Sequence, residues 1–258
     1  MALAELKFFS NSLGFQTCAN VVIPQEATAA EIGANRSDGS NAHKCLYLLH
    51  GLSDDYSIWL RRTSIERYAQ KYGIFVVMPD GNKSFYTDMK YGANYYTYIS
   101  QELPRLMEQF FNISPLREDR YIAGLSMGGY GALKIALKNQ DKYCAAAGLS
   151  SVADIRKMAE HRDFGNTFTP VFGEGDVVGD GDDIFCLAQK GNEEKQKARF
   201  YMCVGRQDFM YDDNVHLRDK FESLDYDYTY REGEGSHGWD FWDEYIQYVL
   251  EWMFKSSL

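Results

Sequence analysis

The chain has 258 residues, 45% hydrophobic and 25% charged, a globular composition that argues against intrinsic disorder. It carries 37 acidic and 27 basic side chains, for a formal net charge of −10. This balance argues against a nucleic-acid-binding protein and against attachment to an anionic membrane, since both need clustered Lys and Arg. The length suits one large domain with a single core.

The chain alternates predicted strands and helices. Two N-terminal strands, at 6–9 and 16–23, are predicted as antiparallel additions. Continuous apolar runs predict buried parallel strands at 45–49, 74–78, 121–123, 144–147 and 200–204, and an alternating run predicts a strand nearer the sheet edge at 226–230. Helices are predicted at 56–72, 94–111 (kinked at Pro104), 127–139, 214–224 and 239–254. This order predicts an α/β fold with a mostly parallel sheet and helices on both faces.

Two segments break the alternation. Residues 151–197 are rich in Gly and Asp and show no clean strand. We interpret them as a lid-like insertion over the active site, within a single domain spanning 1–258. Residues 27–42 are polar and small, which predicts a surface loop. The acidic stretch 174–183 lacks the glutamate that closes an EF-hand loop, so a solvated acidic loop is predicted there.

The five cysteines indicate the cellular compartment and the absence of a metal. Their number is odd, their spacing is wide and no CxxC pair occurs, so reduced thiols buried as small apolar groups are predicted, with no zinc site. No metal or other cofactor is expected.

With no secretory pattern at the N-terminus, no run of about 20 apolar residues and no CaaX ending, a cytoplasmic protein without a membrane partner is expected.

The strongest motif is Gly124-Leu125-Ser126-Met127-Gly128. It matches G-x-S-x-G directly after a predicted strand and directly before a predicted helix. A serine on that sharp turn exposes its hydroxyl, and the helix N-terminus behind it stabilises negative charge. Ser126 is therefore predicted to be a catalytic nucleophile.

A second motif, His50-Gly51-Leu52, ends the first central strand. In nucleophile-elbow enzymes, one oxyanion donor is the N–H after the nucleophile and the other comes from this early loop. The predicted oxyanion hole is therefore the N–H groups of Met127 and Leu52, with Gly51 allowing the bend. His50 is interpreted as a structural histidine hydrogen-bonded beneath the loop.

The base should be a histidine that follows the nucleophile in sequence. Three do so. His161 lies in the insertion and His216 inside a predicted helix, whereas His237 lies in a glycine-rich loop between the last strand and the last helix. His237 is the predicted base.

The acid should follow the penultimate strand, and Asp208 does. Asp212 and Asp213 are alternatives that more plausibly cap the next helix. In this arrangement His237 accepts the Ser126 proton, Asp208 orients the imidazole, and water later hydrolyses an acyl-enzyme.

Aromatic residues near these motifs suggest a substrate pocket. Trp59 lies close in sequence to Leu52, and Phe209 follows Asp208. Both are predicted to contact substrate, because ligand pockets often have aromatic walls.

The motifs together resemble a known family. They are His50-Gly51-Leu52, Trp59-Leu60-Arg61-Arg62-Thr63, Tyr86-Thr87-Asp88, Ala123 through Gly131, Gln207-Asp208-Phe209 and His237-Gly238-Trp239. The chain is similar, over nearly its whole length, to the tributyrin-esterase group of the esterase family that also contains S-formylglutathione hydrolases, feruloyl and acetyl-xylan esterases, and mycolyltransferases. The resemblance implies an α/β-hydrolase fold and serine-dependent hydrolysis of short-chain acyl or aryl esters, with Ser126, Asp208 and His237 as the triad.

Several functions remain open from the sequence alone. The substrate is expected to be a small-molecule ester, and a feruloylated or acetylated sugar or S-formylglutathione are alternatives. A triad alone also serves peptidases, so the resemblance is what favours esters. A non-catalytic binding module on the same fold is a more distant alternative, and self-association is left open.

Overall fold

The computed structural model describes residues 1–25, 42–160 and 166–255. These residues form an eight-stranded sheet with strand order β1-β2-β4-β3-β5-β6-β7-β8. The strands are β1 (Ala2–Ser10), β2 (Phe15–Ile23), β3 (Cys45–Leu49), β4 (Phe75–Pro79), β5 (Arg120–Leu125), β6 (Ala145–Leu149), β7 (Arg199–Gly205) and β8 (Tyr228–Gly233). β2 runs antiparallel to both β1 and β4, and the other pairings are parallel. The prediction of a mostly parallel sheet with antiparallel N-terminal strands and an edge strand after residue 225 is confirmed.

Helices cover both faces of the sheet. They are α1 (Ile58–Arg62), α2 (Ile65–Gln70), α3 (Tyr95–Thr97), α4 (Leu103–Phe110), α5 (Met127–Lys138), α6 (Ile155–Glu160), α7 (Thr169–Phe172), α8 (Ile184–Gly191), α9 (Tyr211–Glu222) and α10 (Trp239–Phe254). Successive strand side chains enter opposite halves of the core. In β3, for example, Tyr47 packs on the α5 and α9 side, whereas Leu46 and Leu48 pack on the α2 and α10 side.

Two predicted helices differ from those observed. The helix predicted at 56–72 is divided into α1 and α2 because Thr63 is extended and its hydroxyl bonds backbone groups on both sides, Trp59 O and Ile65 N. The helix predicted at 94–111 contains a π-helical turn, Tyr98–Glu102, immediately before Pro104. Proline has no N–H to continue the α-helical ladder, so the irregularity falls in the turn before it.

The insertion contains α6, α7 and α8, and no strand in its described part. Its acidic stretch is less solvated than predicted. Asp182 pairs with the buried amine of Lys134 at 3.2 Å, and Asp183 caps α8 by accepting the N–H groups of Phe185 and Cys186. The prediction of a solvated loop is therefore wrong for these two residues. The loop predicted at 27–42 lies outside the described residues except for its last position.

The cysteines are free thiols. Cys45 and Cys203 are buried in the sheet, as predicted. Cys18, Cys144 and Cys186 are partly exposed, so the prediction of burial is wrong for them. Cys144 lies just before β6 and Cys186 lies in the first turn of α8, where neighbouring elements cover each thiol incompletely.

Candidate active site

The turn between β5 and α5 places Ser126 in a strained backbone conformation. Its φ of 54° and ψ of −118° lie outside the regions that L-residues favour. The turn is held by the Ser126 N–H, which donates to Leu149 O at 2.9 Å. A Cβ on Gly124 would come within 2.4 Å of the Gly128 backbone, so the chain can cross itself there only with glycine. Local sequence therefore forces the serine hydroxyl out above the carboxyl end of the sheet.

The structure brings Ser126, His237 and Asp208 together although they are far apart in sequence. Ser126 Oγ lies 3.0 Å from His237 Nε2, and His237 Nδ1 lies 2.9 and 3.1 Å from the two Asp208 carboxylate oxygens. All three side chains lie just past the carboxyl ends of parallel strands, which are β5 for Ser126, β7 for Asp208 and β8 for His237. This geometry allows a proton to pass from the serine to the imidazole while the carboxylate holds the ring.

Asp208 is the most buried member of the three. It lies on the loop from β7 to α9, its side chain has no exposed surface, and its Oδ1 also accepts the Met210 N–H at 2.8 Å. Asp212 and Asp213 do not reach this site. They lie in the first turn of α9, whose N-cap is Met210, so the prediction that they cap this helix is wrong.

The His237 ring is held between aromatic rings. Phe209 lies 4.7 Å from it and Trp242 lies 4.9 Å from it in an edge-to-face arrangement. The Trp242 indole N–H donates to Ser150 Oγ at 3.2 Å, which fixes that wall. The imidazole is 18% exposed, so it can meet a substrate from one side.

Two residues that line the cavity beside the serine carry unpaired backbone N–H groups. Within the described ranges, neither the Leu52 N–H nor the Met127 N–H has a hydrogen-bond acceptor, and both residues line the cavity in front of Ser126. Unpaired N–H groups beside a nucleophile suit the negative oxygen of a tetrahedral intermediate.

His50 fixes one of these donors. Gly81 N–H donates to His50 Nε2 at 2.8 Å, so the ring proton is on Nδ1, which donates to Gly51 O at 2.7 Å. The N–H and C=O of a trans peptide point in opposite directions, so holding the Gly51 carbonyl beneath the loop turns the Leu52 N–H outward. The structural interpretation of His50 is confirmed, and the ring also orients this donor.

The cavity has a volume of about 380 Å³. Its walls are mainly apolar and combine the loop from β3 to α1 (50–57, called the oxyanion loop), the start of the insertion and α10. The lining residues are Gly51, Leu52, Ser53, Asp54, Phe85, Leu125, Ser126, Met127, Val152, Met158, Phe209, Met210, His237, Trp239 and Trp242. Phe209 lies in this wall and is 65% exposed.

Trp59 does not line the cavity. Its side chain is buried beneath β3, its indole N–H donates to Leu49 O at 3.0 Å, and its ring packs edge-on against Trp239 at 5.2 Å. Trp59 therefore packs against the wall residue Trp239 and bonds the last residue of β3, but it does not contact the cavity.

The chain matches a family of known proteins. The sequence model described as "Putative esterase" matches residues 35–252. An acetyl esterase of Caldicellulosiruptor saccharolyticus is 33% identical over 267 aligned residues, covering 100% of both chains. The chain belongs to the Putative esterase family.

Solved structures agree with this assignment. A fluorophosphonate-binding serine hydrolase of Staphylococcus aureus superposes with a TM-score of 0.87 at 34% identity, covering 98% of each chain. An S-formylglutathione hydrolase from the same organism superposes with a TM-score of 0.84 at 33% identity, covering 98% of this chain and 100% of the other. This esterase has the α/β-hydrolase fold and is a serine hydrolase of carboxylic esters.

Sequence reasoning missed the part of this esterase's cavity wall that depends on Phe85. Phe85 has a positive φ of 48° and stacks on Phe168 of the insertion at 4.9 Å. Beneath it, the fully buried Lys134 of α5 donates to Phe85 O, to Thr87 Oγ1 and to Asp182 Oδ1. Burial lowers the pKa of Lys134 to about 8, and the Asp182 carboxylate opposes this shift. The sequence signal is weak: Lys134 is one of two lysines in an otherwise small and apolar helix, and the other, Lys138, ends that helix.

Other predicted features do not contribute to the site. His216 lies on α9, as predicted, and His161 lies outside the described residues. In the ranges 1–25, 42–160 and 166–255, no group of three His, Cys, Asp or Glu side chains forms a metal-binding arrangement. Across the same ranges, no helix combines the length and the apolar character needed to cross a membrane.

Proposed function

We propose that this esterase hydrolyses short-chain acyl esters through an acyl-enzyme on Ser126. The observation that carries the proposal is the continuous hydrogen-bonded chain Ser126 Oγ–His237–Asp208, with contacts of 3.0 and 2.9 Å, which opens into a cavity lined by two unpaired N–H groups.

The proposed steps follow from this geometry. Ser126 Oγ attacks the ester carbonyl carbon as its proton passes to His237 Nε2, and the N–H groups of Leu52 and Met127 stabilise the resulting oxyanion. The C–O bond to the alcohol then breaks, and the imidazolium gives its proton to the departing oxygen. A water molecule activated by the same imidazole hydrolyses the acyl-enzyme and restores the serine.

The size of the cavity supports a short acyl group. At about 380 Å³ it lies near the lower end of ligand pockets and must hold both the acyl group and part of the alcohol. Phe209 stays the proposed aromatic contact with substrate. The full-length similarity to an acetyl esterase favours esters of acetate and other short acids, among them the butyrate triester tributyrin. S-formylglutathione is the second candidate, favoured by the 33% identity to an S-formylglutathione hydrolase.

The insertion and the compartment belong to the same proposal. Residues 151–197 supply Val152 and Met158 to the cavity wall, which supports a lid-like insertion within one domain. Free cysteines support a reducing, cytoplasmic setting.

A chain-length series of p-nitrophenyl esters, all of which are aryl esters, tests this function beside Ser126→Ala. We expect the highest kcat/KM with acetate to butyrate and a loss of roughly 10⁴-fold or more in the variant. Equal activity of the wild type and the variant would contradict the assignment of the nucleophile. An optimum at long chains would contradict the short-acyl proposal.

A further inference from the structure

One charged side chain in the cavity wall has no part in the proposed chemistry. Asp54 lies two residues after Leu52 on the loop from β3 to α1 and is half-buried. Its Oδ2 lies 3.0 Å from the point that a Cβ on Gly51 would occupy, and that point is 3.8 Å from Ser126 Cβ. The Asp54 carboxylate is therefore within about 7 Å of the nucleophile's Cβ.

This position is unfavourable for a simple ester. A carboxylate so close to the oxyanion hole repels the negative charge that develops in the transition state. The other residues that line this cavity are mainly apolar, among them Phe85, Met158 and Trp239. Burial raises the pKa of Asp54, and the nearby His50 ring and a hydrogen bond from the Gly51 backbone oppose this shift. The triad acid is already supplied by Asp208. A carboxylate kept here becomes favourable when the substrate brings a hydrogen-bond donor to it.

We propose that Asp54 selects esters whose alcohol carries further free hydroxyl groups, an inference that rests on the proposed function. The carboxylate accepts a hydrogen bond from a hydroxyl neighbouring the scissile ester, which positions the alcohol while Ser126 attacks. Asp54 acts as a specificity-determining residue, not as an acid or base.

The test compares glycerol monoacetate with ethyl acetate, which has the same acyl group and an alkyl alcohol without free hydroxyls. We expect Asp54→Asn to lower kcat/KM for glycerol monoacetate about tenfold or more, chiefly through KM, because a charge-assisted hydrogen bond is lost. The same variant should raise kcat/KM for ethyl acetate severalfold, because a repulsive charge is removed.

Asp55→Asn is the matched control. It removes the same charge one residue away, where the exposed carboxylate bonds Ser57 N and Oγ, and it should leave the ratio of the two substrates unchanged. If Asp54→Asn lowers both activities in parallel, or leaves the ratio of kcat/KM for the two substrates unchanged, the role of Asp54 is overturned and the proposed function stands. No hydrolysis of either acetate by the wild type would contradict the proposed function and this inference with it.

The free edge of the sheet carries a second, independent pattern. In the described part of the chain, β1 pairs on one side only, with β2. Its Leu6 and Phe8 pack towards the core, whereas the alternating residues Leu3, Glu5, Lys7 and Phe9 are exposed. Leu3 and Phe9 are 50% and 51% exposed, so this one strand presents two large apolar side chains at its free edge.

The pattern of this edge is self-complementary. If β1 pairs antiparallel with β1 of a second copy so that Leu6 faces the partner's Leu6, Glu5 lies opposite the partner's Lys7, and Leu3 opposite the partner's Phe9. A shift of two residues places either two Glu5 or two Lys7 side chains opposite each other, and a shift of one moves the side chains to opposite faces. Charges on an edge strand usually prevent pairing, but here they favour one register of self-pairing.

We infer that two copies of this chain associate through β1 in that register and join their sheets into one. Sedimentation velocity of the wild type should show a dimer at tens of micromolar. Glu5→Lys and Lys7→Glu should each weaken dimerisation about tenfold or more, since each replaces two attractive cross-strand pairs by two repulsive ones.

The decisive arm is an equimolar mixture of the two variants. The Glu5→Lys chain presents two basic side chains on this edge and the Lys7→Glu chain presents two acidic ones, so a heterodimer should form where neither variant dimerises alone. Retained ester hydrolysis by both variants controls for folding, because these residues are remote from Ser126. A monomeric wild type, single variants that dimerise as tightly as the wild type, or a mixture that stays monomeric would each overturn this interface.

Discussion

Replacing His50 by leucine tests how the oxyanion loop is held. The leucine removes two hydrogen bonds. One is donated by His50 Nδ1 to Gly51 O, with 2.7 Å between the two atoms, and the other is accepted by His50 Nε2 from the Gly81 N–H, with 2.8 Å between the nitrogens. Removing a whole oxyanion donor typically costs about 2.7–4 kcal/mol of transition-state stabilisation. Here the Leu52 N–H remains, and the Asp54 N–H still reaches Gly51 O at 3.2 Å, so the loss is partial. We expect about 1.4–2.8 kcal/mol, a fall of roughly tenfold to hundredfold in kcat.

The same change also has a cost in stability. The buried Gly81 N–H loses its acceptor, which should lower the free energy of unfolding by about 1–3 kcal/mol. The assay is kcat and KM on p-nitrophenyl acetate together with urea unfolding. His43→Leu is the control, because His43 bonds Gly73 O at 3.2 Å away from the cavity and should affect stability without changing kcat. A His50→Leu enzyme that is destabilised but keeps its full kcat would refute the orienting role of this ring.

Three further predictions follow from the site and its supports. Asp208→Asn should lower kcat by about 10⁴-fold while His237 stays in place, because the amide favours the wrong imidazole tautomer; a loss below tenfold in steady-state assays would count against the assignment. Gly128→Ala would bring a Cβ within 2.5 Å of Leu49 O and should abolish both activity and cooperative unfolding, and an active, stable variant would show that the elbow tolerates displacement. Burial lowers the pKa of Lys134 from 10.5 to about 8, so between these pH values the unfolded chain binds the proton that the folded chain releases. Wild-type stability should therefore rise from about pH 8 to 10.5 relative to Lys134→Met in urea unfolding, and identical pH slopes would contradict this.

The features that sequence predicted best are those fixed locally. The strand β3 was predicted with its observed bounds, because a continuous apolar run between polar ends is typical of a strand covered on both faces. The turn at Ser126 needs glycines at fixed positions, so the G-x-S-x-G motif predicts the geometry of the turn. The positions of His237 and Asp208 just after predicted strands indicate their roles, because parallel strands bring their carboxyl ends to one edge of the sheet.

The features that sequence did not predict depend on contacts between distant segments. Trp59 is close in sequence to the oxyanion loop, yet α1 turns its indole beneath the strand. Phe85 lies in the cavity wall, where Phe168 of the insertion stacks on its ring and the amine of Lys134 bonds its carbonyl oxygen. No local sequence pattern indicates those partners. Asp182 belongs to an acidic run that is typical of a solvated loop, but it forms an ion pair with the buried amine of the distant Lys134 and is only partly exposed.

Covalent labelling tests the central claim most directly. The purified chain and its Ser126→Ala variant would be treated with a fluorophosphonate and examined by intact-mass and peptide mass spectrometry. The geometry predicts one adduct per wild-type chain, located on Ser126, with loss of ester hydrolysis in proportion to labelling and no adduct on the variant. An adduct on another residue, or an unlabelled chain that still hydrolyses esters, would contradict Ser126 as the nucleophile.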